Sequence, residues 1–392
     1  AYEERTYNSS GQVIRRTLVD WTVDNAQQTF LAVPYTVTRN PRAQKRVEIL
    51  LDTGGSNALA SITTTAYDGD LNETVNNRYD YVSIDQSIAL NAGINSFPLP
   101  PSPLRTEETT FLVNDPSLPQ STRDAYRARH LISLPTVTQV KDGSTKSAET
   151  KFRYDETSLM TYPVVTGWTD PGAATVRGNV TTTERWLNLT SQYLAAHLEY
   201  DQCGNLRKTT DARGKISEVF YGDNFADGNN TRNTFAYPTS TKSPKPDPAG
   251  AYGSNQELTA STKYDFQTGK VTAATDANGQ TTNYSYNLGG GPTADPLLRL
   301  GKVTLPDGGT TTYEYGDTPY SPGNPFGLYV YVSTTQNATT LINDGTYFDG
   351  LGRAWRSAHT ESATQLSLTD TEYDSLGRVK RVSNPYTAAN IT

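Results

Sequence analysis

The chain of 392 residues holds one cysteine, Cys203, and one methionine. A lone thiol excludes an internal disulfide framework and a thiolate zinc cluster. The three histidines, His130, His197 and His359, lie far apart and form no H-x-x-x-H pair, which argues against a histidine metal site. Aliphatic material is also scarce. Hydrophobic residues make up 35% and mean hydropathy is −0.61, too little for a conventional α/β enzyme core of this length. No apolar stretch approaches the roughly 18 residues of a membrane-spanning helix. The net charge of −7, from 34 Lys+Arg against 41 Asp+Glu, comes without a long basic run, so neither a nucleic acid nor an anionic membrane is the expected partner. There is no initiator Met, signal peptide or tag at Ala1, and the chain reads as a processed product or an internal piece of something longer.

The apolar content is carried instead by 25 Tyr, accompanied by 58 Thr, 30 Gly and 22 Pro. Thr and Tyr suit a pleated, half-buried surface better than a helix, and the Gly and Pro demand frequent turns. The composition predicts an all-β protein. A short phrase recurs: Tyr200-Asp201-Gln-Cys-Gly204, Tyr264-Asp265-Phe-Gln-Thr-Gly269, Tyr373-Asp374-Ser-Leu-Gly377-Arg378, and with Phe for Tyr, Phe348-Asp349-Gly-Leu-Gly352-Arg353. A weaker copy opens the chain at Tyr7-Asn8-Ser-Ser-Gly11. Seven residues after Gly204 and Gly269 come Asp211 and Asp276, each followed three residues later by Gly214 or Gly279. Gly214, Gly279 and Gly308 in turn reach Tyr221, Tyr286 and Tyr315 after seven more.

Such a unit is strand, tight turn, strand, tight turn, with segments of about six residues. The Asp accepts a hydrogen bond from a turn amide, and the Gly supplies the positive φ that a Cβ disfavours. Between turns the side chains alternate: Thr311, Tyr313 and Tyr315 fall on one face, Thr310, Thr312 and Glu314 on the other. Tyr at the same place in successive hairpins sets aromatics on neighbouring strands, each cross-strand pair worth a few tenths to about 1 kcal/mol. Residues 1–392 therefore form one repeat array, with 1–150 divergent and interrupted and 151–392 clearer. Phe97 to Pro103, Ser243 to Gly250 and Tyr320 to Gly327 read as surface loops between hairpins. One short helix is expected near 121–132, where Ser121-Thr-Arg-Asp124 has capping-box character.

The dispersed phrase, clear from about Tyr154 to Pro385, resembles the YD repeat of bacterial Rhs proteins and the animal teneurins. The resemblance implies a long, spiralling antiparallel β-hairpin array that in full-length members wraps into a hollow shell around a toxin or the protein's own C-terminal segment, with no catalysis on an outside substrate. It implies a bacterial, extracellular or cell-surface structural protein, not an enzyme, and no cofactor. No core-closing segment, toxin domain or N-terminal targeting module is recognisable. Both ends are then expected to be sheet edges, which pair with other strands unless blocked. The expected partner is the chain itself, added head to tail into a filament or tube, or the rest of a longer Rhs shell of a toxin-delivery or adhesion protein. A carbohydrate-binding surface module, with a glycan stacked on tyrosine faces, is the remaining alternative.

Other motifs carry less. Leu51-Asp52-Thr53-Gly54 resembles an aspartic-protease loop, but that chemistry needs two carboxylates sharing a proton, and no second copy occurs; a strand end and a Gly-rich turn explain it better. Asp223 to Asn230 offers oxygens for Ca²⁺ with a spacing foreign to the EF-hand loop, and reads as an ordinary long turn. Gly289-Gly290-Gly291-Pro292 lacks the Lys-Ser/Thr and helix of a phosphate loop. Cys203 sits inside a repeat turn with nothing to activate it. Eight Asn-x-Ser/Thr sequons, among them Asn72, Asn188 and Asn337, follow from the abundance of Thr.

Overall fold

The computed structural model describes residues 2–30, 33–52, 57–172, 176–318, 327–336, 340–362 and 365–389. Its strands pair antiparallel throughout their ladders, and the chain packs as two compact units, Ala1–Tyr162 with Thr169–Ile216, and Pro163–Trp168 with Ser217–Thr392. The fold is all-β, as the Thr and Tyr content predicts.

In the first unit, period-two alternation builds a conventional core. Val47 and Ile49 on the strand Val33–Leu50, and Ala58, Ala60 and Ile62 on Asn57–Tyr67, all point to one face and are fully buried. The helix Gln86–Asn91 covers that face through Ala89, with Ile94 and Phe97 behind it. Phe97 corrects the reading of the first Pro-rich segment as surface loop: it is 2% exposed, while Leu99 beside it stands free at 49%. The helix itself was not expected. Asp85 caps it, accepting from the Ser87 amide at 2.7 Å, but six residues are too few to show an apolar period.

The expected second helix is present as Gln120–Ala128, one residue earlier and shorter than 121–132. Its N-cap is Pro119, without a side-chain cap, and Asp124 accepts from Gln120 Nε2 at 2.7 Å in place of a capping box. His130 ends it at a φ of 57°. Tyr126 is the helix's buried anchor, packed with Leu112 and Val113.

The expected segments of about six residues hold for most of the array but not for Val13–Phe30 and Val33–Leu50, each 18 residues long. No Gly or Pro interrupts 13–30, so nothing stops the ladder. Register shifts at Asp20/Trp21 and Thr22/Asp24 absorb the twist of so long a hairpin.

The second unit contributes no apolar cluster of the kind found in the first, among the described residues. Its hairpins are held by what the composition supplies. Thr275 and Thr281 pair their hydroxyls at 2.8 Å, and Thr310 and Thr335 at 3.0 Å. Phe225, Phe266 and the stacked Tyr237 and Tyr264 form an aromatic knot, with ring centroids 5.2 and 4.7 Å apart for Phe225–Phe266 and Tyr237–Tyr264. Gly345 faces Tyr331 and Tyr347, whose ring atoms lie 3.3 and 3.2 Å from where its Cβ would be, so the tyrosines fill the space a side chain would take. Residues 320–326 of the third Pro-rich loop lie outside the described residues.

Candidate functional site: the tyrosine–aspartate turns

In each repeat phrase the Asp carboxylate organises a five-residue turn. Oδ1 of Asp201 accepts the amides of Cys203 and Asn205 at 3.0 and 2.9 Å. The same pair of bonds recurs at Asp211 (Arg213 and Lys215), Asp276 (Asn278 and Gln280), Asp349 (Leu351 and Arg353) and Asp374 (Leu376 and Arg378), all between 2.8 and 3.0 Å. Asn8 plays the part at the opening copy, taking Ser10 and Gln12. Gly11, Gly204, Gly214, Gly279, Gly352 and Gly377 all have φ between 76° and 88°. Asp265 differs: its turn is one residue longer, its Oδ1 accepts from Thr268, and Gly269 follows by four.

The aromatic before the Asp sits on a bulge. Tyr7, Tyr200, Phe348 and Tyr373 pair with Val13, Leu206, Ala354 and Val379, each after a register shift, and Tyr264 pairs with Val271 across its longer turn. Four tyrosines at such shifts donate their hydroxyls to a backbone carbonyl of a neighbouring segment: Tyr373 to Ala354 at 2.7 Å, Tyr264 to Pro238 at 3.0 Å, Tyr154 to Pro135 at 2.7 Å and Tyr67 to Ala43 at 3.0 Å. Tyr286 and Tyr315, which close the second interval of the repeat, do the same to Val271 and Leu300 at 2.9 Å each. Burial raises the pKa values of Tyr67, Tyr264, Tyr286 and Tyr315, and that of Tyr154 to about 12.

The residue before each accepting carbonyl covers the ring in most of these pairs. The Arg353 guanidinium lies 4.4 Å from the Tyr373 centroid, Arg299 4.2 Å from Tyr315, Lys270 5.8 Å from Tyr286 and Arg42 6.0 Å from Tyr67, while Tyr237 stacks on Tyr264. Such cation–π contacts contribute about 0.5–1 kcal/mol at exposed sites. The turn Asp holds the cation in place: Arg353 Nε donates to Asp349 Oδ2 at 2.8 Å, and Arg378 to Asp374 likewise. These bonds keep both carboxyls below the ordinary range, the Arg353 side chain being the leading cause at Asp349 and the Arg378 amide at Asp374. Two units, at Asp349 and Asp295, thus read Asp, then Arg at +4, then a carbonyl at +5, with a later tyrosine bound to the last two; Lys270 follows Asp265 by five, and Arg42 is paired with Asp24 instead.

Three further copies escaped the sequence pattern. Tyr67-Asp68-Gly-Asp-Leu71 forms the turn with Leu71 at a φ of 68° where Gly is expected. Asp295 turns through Leu298 at 53° and binds Arg299. Tyr154-Asp155 completes its turn only at 177–179, where the amides of Arg177, Gly178 and Asn179 reach the Asp155 carboxylate at 2.8, 2.8 and 3.0 Å. Two of the three carry the Tyr-Asp dipeptide, whereas Asp295 follows Ala294. A leucine in the glycine's place, or a turn opened by an intervening segment, removed the rest of the signal.

The other candidate residues are not brought together. Asp52 is exposed, and 53–56 lie outside the described residues. Asp223 accepts from Thr234, Asp227 pairs with Arg232 at 2.6 Å, and Asn230 caps the Phe225 amide, so these oxygens are engaged within the turn. Among the described residues no three of His, Cys, Asp and Glu cluster as metal ligands. Burial, followed by the charge of Asp201, raises the Cys203 thiol pKa, the opposite of activation. Asn72 is buried and bonded to Asp68 and the Ile132 carbonyl, which closes that sequon to a glycan in the folded protein; Asn188 is exposed and Asn337 lies outside the described residues.

No protein-family model matches the chain, and no curated protein matches its sequence. Solved structures do. A chain of the TcdB2-TccC3-Cdc42 crystal structure superposes with a TM-score of 0.59 at 12% identity, covering 98% of this chain. The two share a fold. This chain spans 25% of the length of that one. A chain of the Photorhabdus luminescens Tc holotoxin pore, in a TccC3 mutant, is also matched over 98% of this chain at 14% identity and 22% of its own length, with a TM-score of 0.36.

Proposed function

We propose that this chain is a wall segment of a YD-repeat protein shell of the Rhs type, a structural and not a catalytic protein, working outside the cell or at its surface. The observation that carries the reading is the use of the repeat side chains. The aspartates are engaged on turn amides and the tyrosine hydroxyls on carbonyls, so the polar groups that recur most serve the continuity of the sheet. The likeness in fold to a chain of a Tc toxin complex supports it, since such a chain holds several lengths of this one. Its partners are then further β-repeat wall, either more copies added head to tail or the rest of a longer shell that encloses a toxin. The carbohydrate-binding alternative has less support, because it needs open tyrosine faces, and Arg353, Arg299 and Lys270 lie over those of Tyr373, Tyr315 and Tyr286.

Electron microscopy with light scattering on the purified chain tests this reading. Curved sheets, tubes or filaments are expected as concentration rises. Turnover of a peptide or glycan substrate at acid pH, abolished in Asp52→Asn, would refute the non-catalytic role.

A further inference from the structure

The strand Val33–Leu50 outruns one of its neighbours. It pairs with Asn57–Tyr67 only from Lys45 to Leu50, because that strand turns away at Asp68 to pair with Glu73–Arg78. The Tyr67 hydroxyl, bonded to the Ala43 carbonyl, marks the end of the shared ladder. From Val33 to Ala43 the strand is joined to Val13–Phe30 alone, among the described residues, so its other edge is open. This edge lies on an interior hairpin, and the turn at Asp68 is what leaves it bare. Its usable part is short. Pro34 sits in unbroken register opposite Thr29, and a proline within a ladder must turn its missing N–H to the open side. By the alternation of an antiparallel pair, Val33, Tyr35, Val37 and Arg39 then bond to the inner strand, and the N–H and C=O groups of Thr36 and Thr38 point outward. Asn40, at a φ of 52°, ends the extended stretch. Open edges are usually blunted by charge. Thr36-Val37-Thr38 carries none, and all three residues are β-branched.

We infer that Thr36–Thr38 pairs antiparallel with the same three residues of a second copy of this chain, about a two-fold axis at Val37. Two-fold pairing of one edge with itself is centred on a residue, and this edge offers three centres. Centred on Thr36, the pairing sets Thr38 against the missing N–H of Pro34. Centred on Thr38, it sets Thr36 against Asn40, where the register with the inner strand shifts. Centred on Val37, Thr36 of each copy meets Thr38 of the other, and both pairs exchange all their bonds. Val37 then meets Val37 in the close, non-hydrogen-bonded position, with Cα atoms about 4.5 Å apart. The side chains agree. Thr36 Oγ1 accepts from Gln27 Nε2 at 2.8 Å, and Thr38 Oγ1 donates to Asn25 Oδ1 at 3.4 Å. The new contact joins these two polar pairs into one row, Gln27–Thr36–Thr38–Asn25, and threonine pairs across strands are stabilising. Arg39, the one charge between Pro34 and Asn40, falls opposite position 35 and does not meet itself. The contact is isologous and closes at a dimer. It joins two walls sideways, which goes beyond the reading of the chain as a wall segment.

The test uses the full chain with Cys203→Ser, carrying Val37→Cys or, as a control on the inner strand of the same hairpin, Asn25→Cys, oxidised with copper phenanthroline and run without reductant. Val37→Cys should give a covalent dimer at a rate at least tenfold above that of Asn25→Cys. Alongside, sedimentation of the chain without cysteine substitutions should show an association that Val37→Asp and Val37→Lys each weaken at least tenfold and that an equimolar mixture of the two restores. Circular dichroism should stay that of the folded protein throughout. Only residues that meet across a two-fold axis give that rescue. Equal oxidation of the two cysteine variants, or a mixture no better than either variant alone, overturns the contact, as does a chain that stays monomeric at every concentration. Filaments or tubes that form without the covalent dimer and are indifferent to Val37→Asp overturn it and leave the wall reading standing; substrate turnover overturns the wall reading instead.

Discussion

The repeat aspartates look alike in sequence but differ in burial, and replacing two of them by alanine should separate their effects sharply. Asp201 is fully buried and accepts four hydrogen bonds, from the amides of Cys203 and Asn205, from Asn205 Nδ2 at 3.1 Å and from the Tyr162 hydroxyl at 2.9 Å. Asp374 makes the same turn bonds with its side chain 25% exposed, and its Arg378 partner reaches water freely. In Asp201→Ala four donors lose their acceptor where water enters poorly; at about 1 kcal/mol each the cost is about 4 kcal/mol. Asp374→Ala should cost about 1 kcal/mol, since water replaces the carboxylate. Asp201→Asn keeps one acceptor oxygen for the two amides and should fall between. With a slope of about 2 kcal/mol per M for a unit of this size, the Asp201→Ala urea midpoint, followed by circular dichroism, drops by about 2 M. Equal losses at the two sites, or a loss below about 1 kcal/mol at Asp201, would refute the assignment of the turn carboxylate as the organising group.

Other outcomes follow from the same geometry. Tyr286→Phe, Tyr315→Phe and Tyr373→Phe each remove one hydroxyl–carbonyl bond and should each cost about 1 kcal/mol in the second unit's unfolding free energy; a set of neutral substitutions would mean the hydroxyls are passengers. Gly279→Ala meets open space at a φ of 79° and should cost about 1–2 kcal/mol, whereas Gly269→Ala sets a Cβ 2.5 Å from the Tyr237 hydroxyl and should lower the thermal midpoint further; the reverse order would contradict the packing. Glu3, hydrogen-bonded to Arg16 and Arg5, has its pKa lowered to about 2. Its folded value lies below its unfolded one, so its contribution is present above about pH 4.5 and is lost as pH falls towards 2. The stability gap between wild type and Glu3→Gln, measured by urea titration across that window, should close on the acid side.

The turns could be read from sequence because each repeats a local rule: Asp to gather amides, Gly to take positive φ. The pairing of Tyr with Thr on hairpin faces could also be anticipated, since both have few other places to go in a chain so poor in aliphatics. What the rings touch could not. Tyr373 and its Ala354 carbonyl are nineteen residues apart, Tyr264 and Pro238 twenty-six, and only folded register brings them together. The hairpin of two 18-residue strands departs from segments of about six because no Gly or Pro interrupts 13–30, and an absent turn residue leaves no local mark. Leu71 and Leu298 hid two copies because each, though exposed, takes a positive φ that local preference assigns to glycine.

The turn at Asp155 bears on what this fold tolerates. Asp155 and Arg177 are 22 residues apart in sequence where other copies place two, and yet the ladder closes with Val180 opposite Tyr154. The carboxylate rejoins the two lips of the opening. By the same geometry, a segment inserted after the Asp of another Tyr-Asp turn is expected to leave the ladder paired, since the carboxylate can gather amides that are distant in sequence.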